Sequence, residues 1–338
     1  MTVPARSVGA AAREELHLDL MGDWGTANLY AACGWIASGL RRRSAPSSTF
    51  VVHTSASMDE CGRSVIEGKV DLAFITPLAL AGMLVRGIGL YDRPRPELRA
   101  LATLPHRDRL VLAVARDVAE RQGIATYDDL AARRPPLRIA IGPEGEDHAF
   151  AASEILRCYG MRSGDLERWG GEWVRVERPP ELPAIVASRR ADGLFTERVM
   201  RLHELCEARP LLFFGLDDDV LTDLRSRFGW ERATIDPGDL PGIEIGVPTI
   251  EGGGWVALVR SDMSDATAAA IVRVMVEDHA IFEAKYKHLP VMRSPLHYPI
   301  TPEKLVETGA VPLHDGAATY FASIGVTSAA GIRERWSS

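Results

Sequence analysis

Residues 139–148, Ile-Ala-Ile-Gly-Pro-Glu-Gly-Glu-Asp-His, set two carboxylates and an imidazole behind a short apolar run and a Gly-Pro turn. A helical pattern begins at Asp147. A Gly loop between a strand and a helix commonly grips an anion, because first-turn N–H groups point outward and the helix dipole favours negative charge. Glu146 and Asp147 compete for those same N–H groups. Acidic residues at a helix start are also ordinary electrostatic capping, worth about 0.3–1 kcal/mol each. Either they turn away from a ligand, or the group held there is a cation, a metal ion or a proton donor. Glu146 or Asp147 with His148 also has the composition of an acid/base pair. A protonated His148 would restore some affinity for an anion.

Two earlier loops carry similar potential. In "GDWGTAN" (22–28), Gly25 allows close backbone approach, and Thr26 and Asn28 can cap a helix or donate to a ligand. Trp24 can cover a flat ligand or pack between lobes. In "TSASMDE" (54–60), Thr54, Ser55 and Ser57 supply hydroxyls, while Asp59 and Glu60 suit a first helical turn. Capping alone explains this second loop equally well. Thr76 ends a later apolar run, and Glu197 with Arg198 follows another. His53, His203 and His279 read as structural histidines. Dinucleotide, P-loop, zincin and nucleophile-elbow motifs are absent from the sequence.

The elements that must position these residues alternate. Strand-like runs at 16–22, 49–55 and 70–76 are separated by helical patterns, the third helix opening at Pro77. Two runs then follow closely, 98–104 and 109–116. A second set lies at 137–142, 172–177, 192–196 and 210–215, with a helix from Asp147 to about Tyr159. A Gly/Pro-rich stretch (235–254) leads to a strand at 255–261 and helices at 265–289 and 316–324. This rhythm predicts βαβ units, a parallel sheet and two lobes with a cleft between them. Ligands of such sheets bind at the carboxyl ends of the strands. Those ends are the loops at 22–28, 54–60, 75–78, 142–148 and 196–198.

With 338 residues there is room for about two domains of roughly 150 residues. A hydrophobic fraction of 46%, a charged fraction of 25% and a net charge of -7 are those of a soluble globular chain without a nucleic-acid face. Cys33, Cys158 and Cys206 read as buried thiols, and a Cys33–Cys61 disulfide stays open. No apolar run has the length of a secretory core or a membrane span. As written the chain reads as cytoplasmic; a trimmed or misplaced start would make it periplasmic.

Several stretches together resemble the TAXI solute receptors of TRAP transporters, within the type II periplasmic binding protein superfamily. They are the Gly25-Thr26 turn, "TSASMDE", "LRALATL", "YDDLAARRPPLRIAIGPEG", "IDPGDLPG" and "VPT" (247–249). The most specific is "VPLHDGAATYFASIGV" (311–326). The resemblance runs from 16 to 326. It implies an α/β, two-lobed fold with a hinged central cleft: lobe 1 from 16–113 plus 255–330, lobe 2 from 114–254, and a tail at 1–15. It implies capture of a small carboxylate such as an amino acid or dicarboxylate, TRAP membrane subunits as partners, and neither cofactor nor catalytic residues. By position it implicates Gly25, Thr26, Ser57, Thr76 and the loop Gly145, Glu146, Asp147 and His148. The residues themselves add Trp24, Asn28, Ser55 and Glu197. Two departures stand out. The first is in the pocket: the family pattern Gly-Ser-Gly-Thr is replaced by Gly145-Glu146-Asp147-His148, and a family Asn is replaced near Glu60. The second is that no export signal is read in the sequence, where the family implies a receptor outside the cytoplasmic membrane. The change in the pocket rewrites the grip on the ligand, selecting a different group or reaching a carboxylate through a bound cation near Glu146 and Asp147. The alternative is a cytoplasmic lyase on the same scaffold, a decarboxylase or dehydratase of a cyclic or aromatic carboxylate, using Glu146, Asp147 and His148.

Overall fold

The computed structural model describes residues 13–23, 28–107, 109–198, 200–290 and 293–327. Two sheets organise it. The first contains β1 (His17–Asp23), β2 (Thr49–Ser55), β3 (Leu72–Ile75), β4 (Leu98–Leu104) and β12 (Trp255–Arg260), in the order β2-β1-β3-β12-β4. The second contains β5 (Arg109–Ala115), β6 (Arg138–Ile141), β7 (Glu172–Arg175), β8 (Gly193–Glu197), β9 (Leu211–Phe214), β10 (Glu231–Ile235) and β11 (Val247–Glu251). Its order is β10-β11-β5-β8-β6-β7, and β9 pairs with β5 beside β11.

The expected parallel pairing holds for β1 with β2 and β3, and for β6 with β7 and β8. It fails where the chain changes sheet. β12 runs antiparallel to β3 and β4, and β5 runs antiparallel to β8, β9 and β11. These are the strands flanking the two crossings, β4 to β5 and β11 to β12. A strand arriving from the other lobe joins its new sheet without a crossover helix, so it need not run parallel. β5 lies wholly in the second sheet, so the chain has changed sheet by Arg109, ahead of the expected boundary at 113. The crossings pack tightly: a Cβ on Gly254 would collide with the Leu104 carbonyl oxygen.

Each sheet has its own apolar core. Leu20, Ile36, Phe74, Leu98, Leu258 and Phe321 belong to the first. Ile139, Leu194, Phe214, Leu224 and Trp230 belong to the second. The helix Leu78–Arg86 serves both, giving Leu80, Ala81 and Leu84 to the first core and Ala79 and Met83 to the second. Pro77 is its N-cap rather than a first-turn residue. The long C-terminal helical pattern divides at Asp278 into Asp265–Glu277 and His279–Ala284. Among the described residues, no helix is long and apolar enough to cross a membrane.

Cys33, Cys61 and Cys206 are buried free thiols. Cys158 is only partly buried, its Sγ 3.6 Å from Asp223 Oδ2.

Candidate functional site

A cavity of about 320 Å³ lies between the two sheets. Strand ends build it. Asp23 closes β1 and Thr76 follows β3; Gly142 and Pro143 follow β6; Glu197 and Arg198 end β8. The crossings contribute His106, Arg107 and Trp255. This is the carboxyl edge of the parallel strands, where ligands of open α/β sheets bind.

The carboxylates form one coupled group. Asp23 accepts the Tyr30 N–H at 3.2 Å, an approach that Gly22 permits, since a Cβ there would stand 2.5 Å from that nitrogen. Burial, opposed by those backbone hydrogen bonds and reinforced by Glu197, pushes Asp23 up to about 6. Glu146 is pushed up to about 7, first by burial and then by the charges of Asp147 and Asp59. Asp147 is raised by burial and by Glu197, with His148 acting in the opposite direction.

The sequence left open why a loop of anion-binding shape should carry acids. The backbone N–H groups of His148 and of Asp147 itself offset part of the rise in Asp147, so its carboxylate sits against the start of the helix Asp147–Cys158. His148 is buried, with Nε2 3.8 Å from Asp147 Oδ2. Ser57, in the first lobe, acts on Glu146 in the opposite direction and lowers it. Its hydroxyl oxygen accepts the Glu60 N–H at 3.1 Å and caps the helix Met58–Ile66.

His106 sits at the floor. Its Nδ1 donates to the Pro295 carbonyl, its Nε2 lies 3.3 Å from Glu197 Oε2, and its ring tilts over Trp255 at 5.0 Å. A carbonyl only accepts, so Nδ1 is the nitrogen that carries a proton in the contact with Pro295.

Of the basic wall, only Arg198 was expected from the sequence. Arg107, Arg198, Arg201 and Arg293 all line the cavity, with His203 against Arg293. His203 is thus a cleft residue, not merely a structural one. Burial lowers the Arg198 guanidinium; Asp239 opposes this, and the charges of Arg109 and Arg107 reinforce it. Arg107, Arg293 and the neighbouring pair Arg198 and Arg201 come from three separate segments, so no local spacing announces their meeting.

Of the expected residues, Asn28, Thr76, Glu146, Asp147, His148 and Glu197 line the cavity. Asn28 accepts the Tyr286 hydroxyl at 2.8 Å on its Oδ1, leaving its amide hydrogens for other partners. Thr76 Oγ1 is buried with no hydrogen-bond partner among the described residues. Ser55 turns inward to Cys61 Sγ at 3.0 Å and does not line the cavity. Gly145 is exposed and outside the lining, and Ser57 reaches the site only through Glu146. Trp24, Gly25 and Thr26 lie outside the described residues. Among the described residues, no group of three or more His, Cys, Asp or Glu side chains is placed to hold a metal ion.

Two lobes, two crossings and a cleft at the strand ends define the fold of the type II periplasmic binding proteins. The binding protein component of an ABC phosphonate transporter from Pseudomonas aeruginosa has this fold, at 9% identity over 84% of this chain and 81% of its own, with a TM-score of 0.51. The alkanesulfonate-binding protein SsuA from Xanthomonas axonopodis pv. citri matches at 14% identity, 86% and 89% coverage and a TM-score of 0.43. The periplasmic nitrate-binding protein NrtA from Synechocystis matches at 13% identity and a TM-score of 0.44, over 80% of this chain and 62% of its own. No curated protein matches in sequence. The chain belongs to the NMT1-like family, whose model matches residues 26–325.

Proposed function

We propose that the protein is a TAXI-type solute receptor that captures a small carboxylate-bearing organic molecule in the cleft, working outside the cytoplasmic membrane with TRAP membrane subunits. The observation that carries this reading is the convergence of four guanidinium groups on one cavity. Arg198 is half-buried there, in the field of Arg107 and Arg109, and a carboxylate is the group that pairs with such guanidinium groups. The helix N-terminus that other anion sites use is occupied by Asp147, so the ligand carboxylate goes to the arginines instead. The protonated forms of Glu146 and Asp23 donate to hydroxyl or carbonyl groups elsewhere on the ligand. Closure of the lobes about the two crossings, between β4 and β5 and between β11 and β12, then completes the contacts.

A second reading, a lyase acting on the same class of acid, is favoured by one observation. Glu146, held near 7, stands beside His148 with a proton to give or take at neutral pH.

Calorimetric titration with organic acids and their primary amides tests the carboxylate assignment. Acids bind and amides do not, and Arg201→Ala weakens the acids at least about tenfold, the size of a lost charge-assisted pair. Equal affinity for acid and amide would refute the assignment.

A further inference from the structure

The cavity has a second chemistry besides its charges. Pro143, Pro179, Pro180 and Pro295 line it together with Met58 and Trp255. Pro143 follows β6, and Pro179 and Pro180 follow β7, at strand ends that elsewhere offer backbone N–H groups to a ligand. Proline has no N–H to offer. At these positions the second lobe presents ring faces and withholds donors. From the other side come the Met58 thioether, which adapts to irregular apolar shapes, and the Trp255 indole, held by the His106 ring at 5.0 Å.

Size agrees with this. A cavity of about 320 Å³ is at the lower end of the range for drug-sized ligands, larger than a dicarboxylate of four or five carbons needs. An acid with a ring or an alkyl chain covers the proline faces and releases water from them.

We infer that the ligand class is an amphipathic organic acid: one carboxylate for the arginines, and an aromatic or medium-chain apolar body lying between the proline faces and Trp255. This rests on the carboxylate reading above and narrows it. Small, wholly polar acids such as succinate and glutamate are poor ligands.

Calorimetric titration of the full chain tests it with 3-phenylpropanoate, octanoate, propanoate, succinate, glutamate and 3-phenylpropan-1-ol. The expected result is that 3-phenylpropanoate or octanoate binds at least about tenfold tighter than propanoate, succinate and glutamate, a factor that two buried methylenes supply. The alcohol binds at least as much more weakly than its acid. Replacing Pro179 and Pro180 by Ser, or Pro295 by Ser if that pair fails to fold, removes most of the difference between phenylpropanoate and propanoate while affinity for propanoate is kept. Succinate or glutamate binding as tightly as the apolar acids overturns the inference and leaves the carboxylate reading standing. The alcohol matching its acid overturns both, as does a panel in which no acid binds.

Discussion

Arg109 opens β5 and Glu251 closes β11; the two are register partners, and Arg109 Nε lies 3.5 Å from Glu251 Oε2. Each stands where its strand leaves the second lobe, so this ion pair ties the two crossings together. Arg109 Nη1 also lies 3.5 Å from Asp239 and 3.6 Å from Asp236. The Arg109 side chain is 9% exposed, and removing it leaves these carboxylates facing one another. Breaking such a buried pair costs about 3 kcal/mol. We predict that loss for Arg109→Ala in urea unfolding; a loss below about 1 kcal/mol, the level of a surface pair, contradicts the role.

Stability should fall as pH rises through neutrality. Asp23 is raised to about 6 and Glu146 to about 7, so both favour the protonated native state. A raised carboxyl contributes stability that is complete below its unfolded value, near 4, and is lost as pH passes its folded value. Glu146→Gln removes this penalty. It should raise Tm at pH 8 by about 2 °C, leave pH 4.5 unchanged, and flatten the melting curve between them. An unchanged slope contradicts the assignment.

Glu197 holds up the titration of Asp23 from across the cleft. Glu197→Gln removes that charge and keeps the shape. The Asp23 carboxyl should then titrate lower by carbon NMR, while staying above an ordinary aspartate because burial is the larger cause. No change, or a rise, would separate the two residues.

Asp147→Ala tests whether the helix start is blocked by its own side chain. The freed first-turn N–H groups should bind sulfate several-fold more tightly, on the order of 1 kcal/mol for an anion at a helix terminus. Affinity equal to that of the parent protein would mean that Asp147 does not occupy those donors.

Much of the fold was legible because short β-type runs such as Thr49–Ser55 and Leu98–Leu104 are strands over the very residues expected. β10, just ahead of the Gly/Pro-rich stretch, and β11, inside it, were missed. Pro248 sits within β11, opposite Thr234, where its lack of an N–H argues locally against a strand, and only pairing with β10 overrides this. The acidic half of the site could be read because Glu146, Asp147 and His148 are adjacent in sequence. Asp23 carried a signal that went unused, a carboxylate ending an alternating strand at the ligand edge. Arg107, Arg201 and Arg293 meet only through tertiary folding, from a crossing, a helix start and the C-terminal arm, and no spacing within the chain encodes that.

The central claim, that the cleft captures an organic acid without transforming it, is tested most directly by proton NMR of a carboxylate panel incubated with the full-length protein for hours. The account predicts line broadening of one class of acid and no new resonances. New product peaks, absent with boiled protein, would contradict it and would make Glu146 and His148 catalytic.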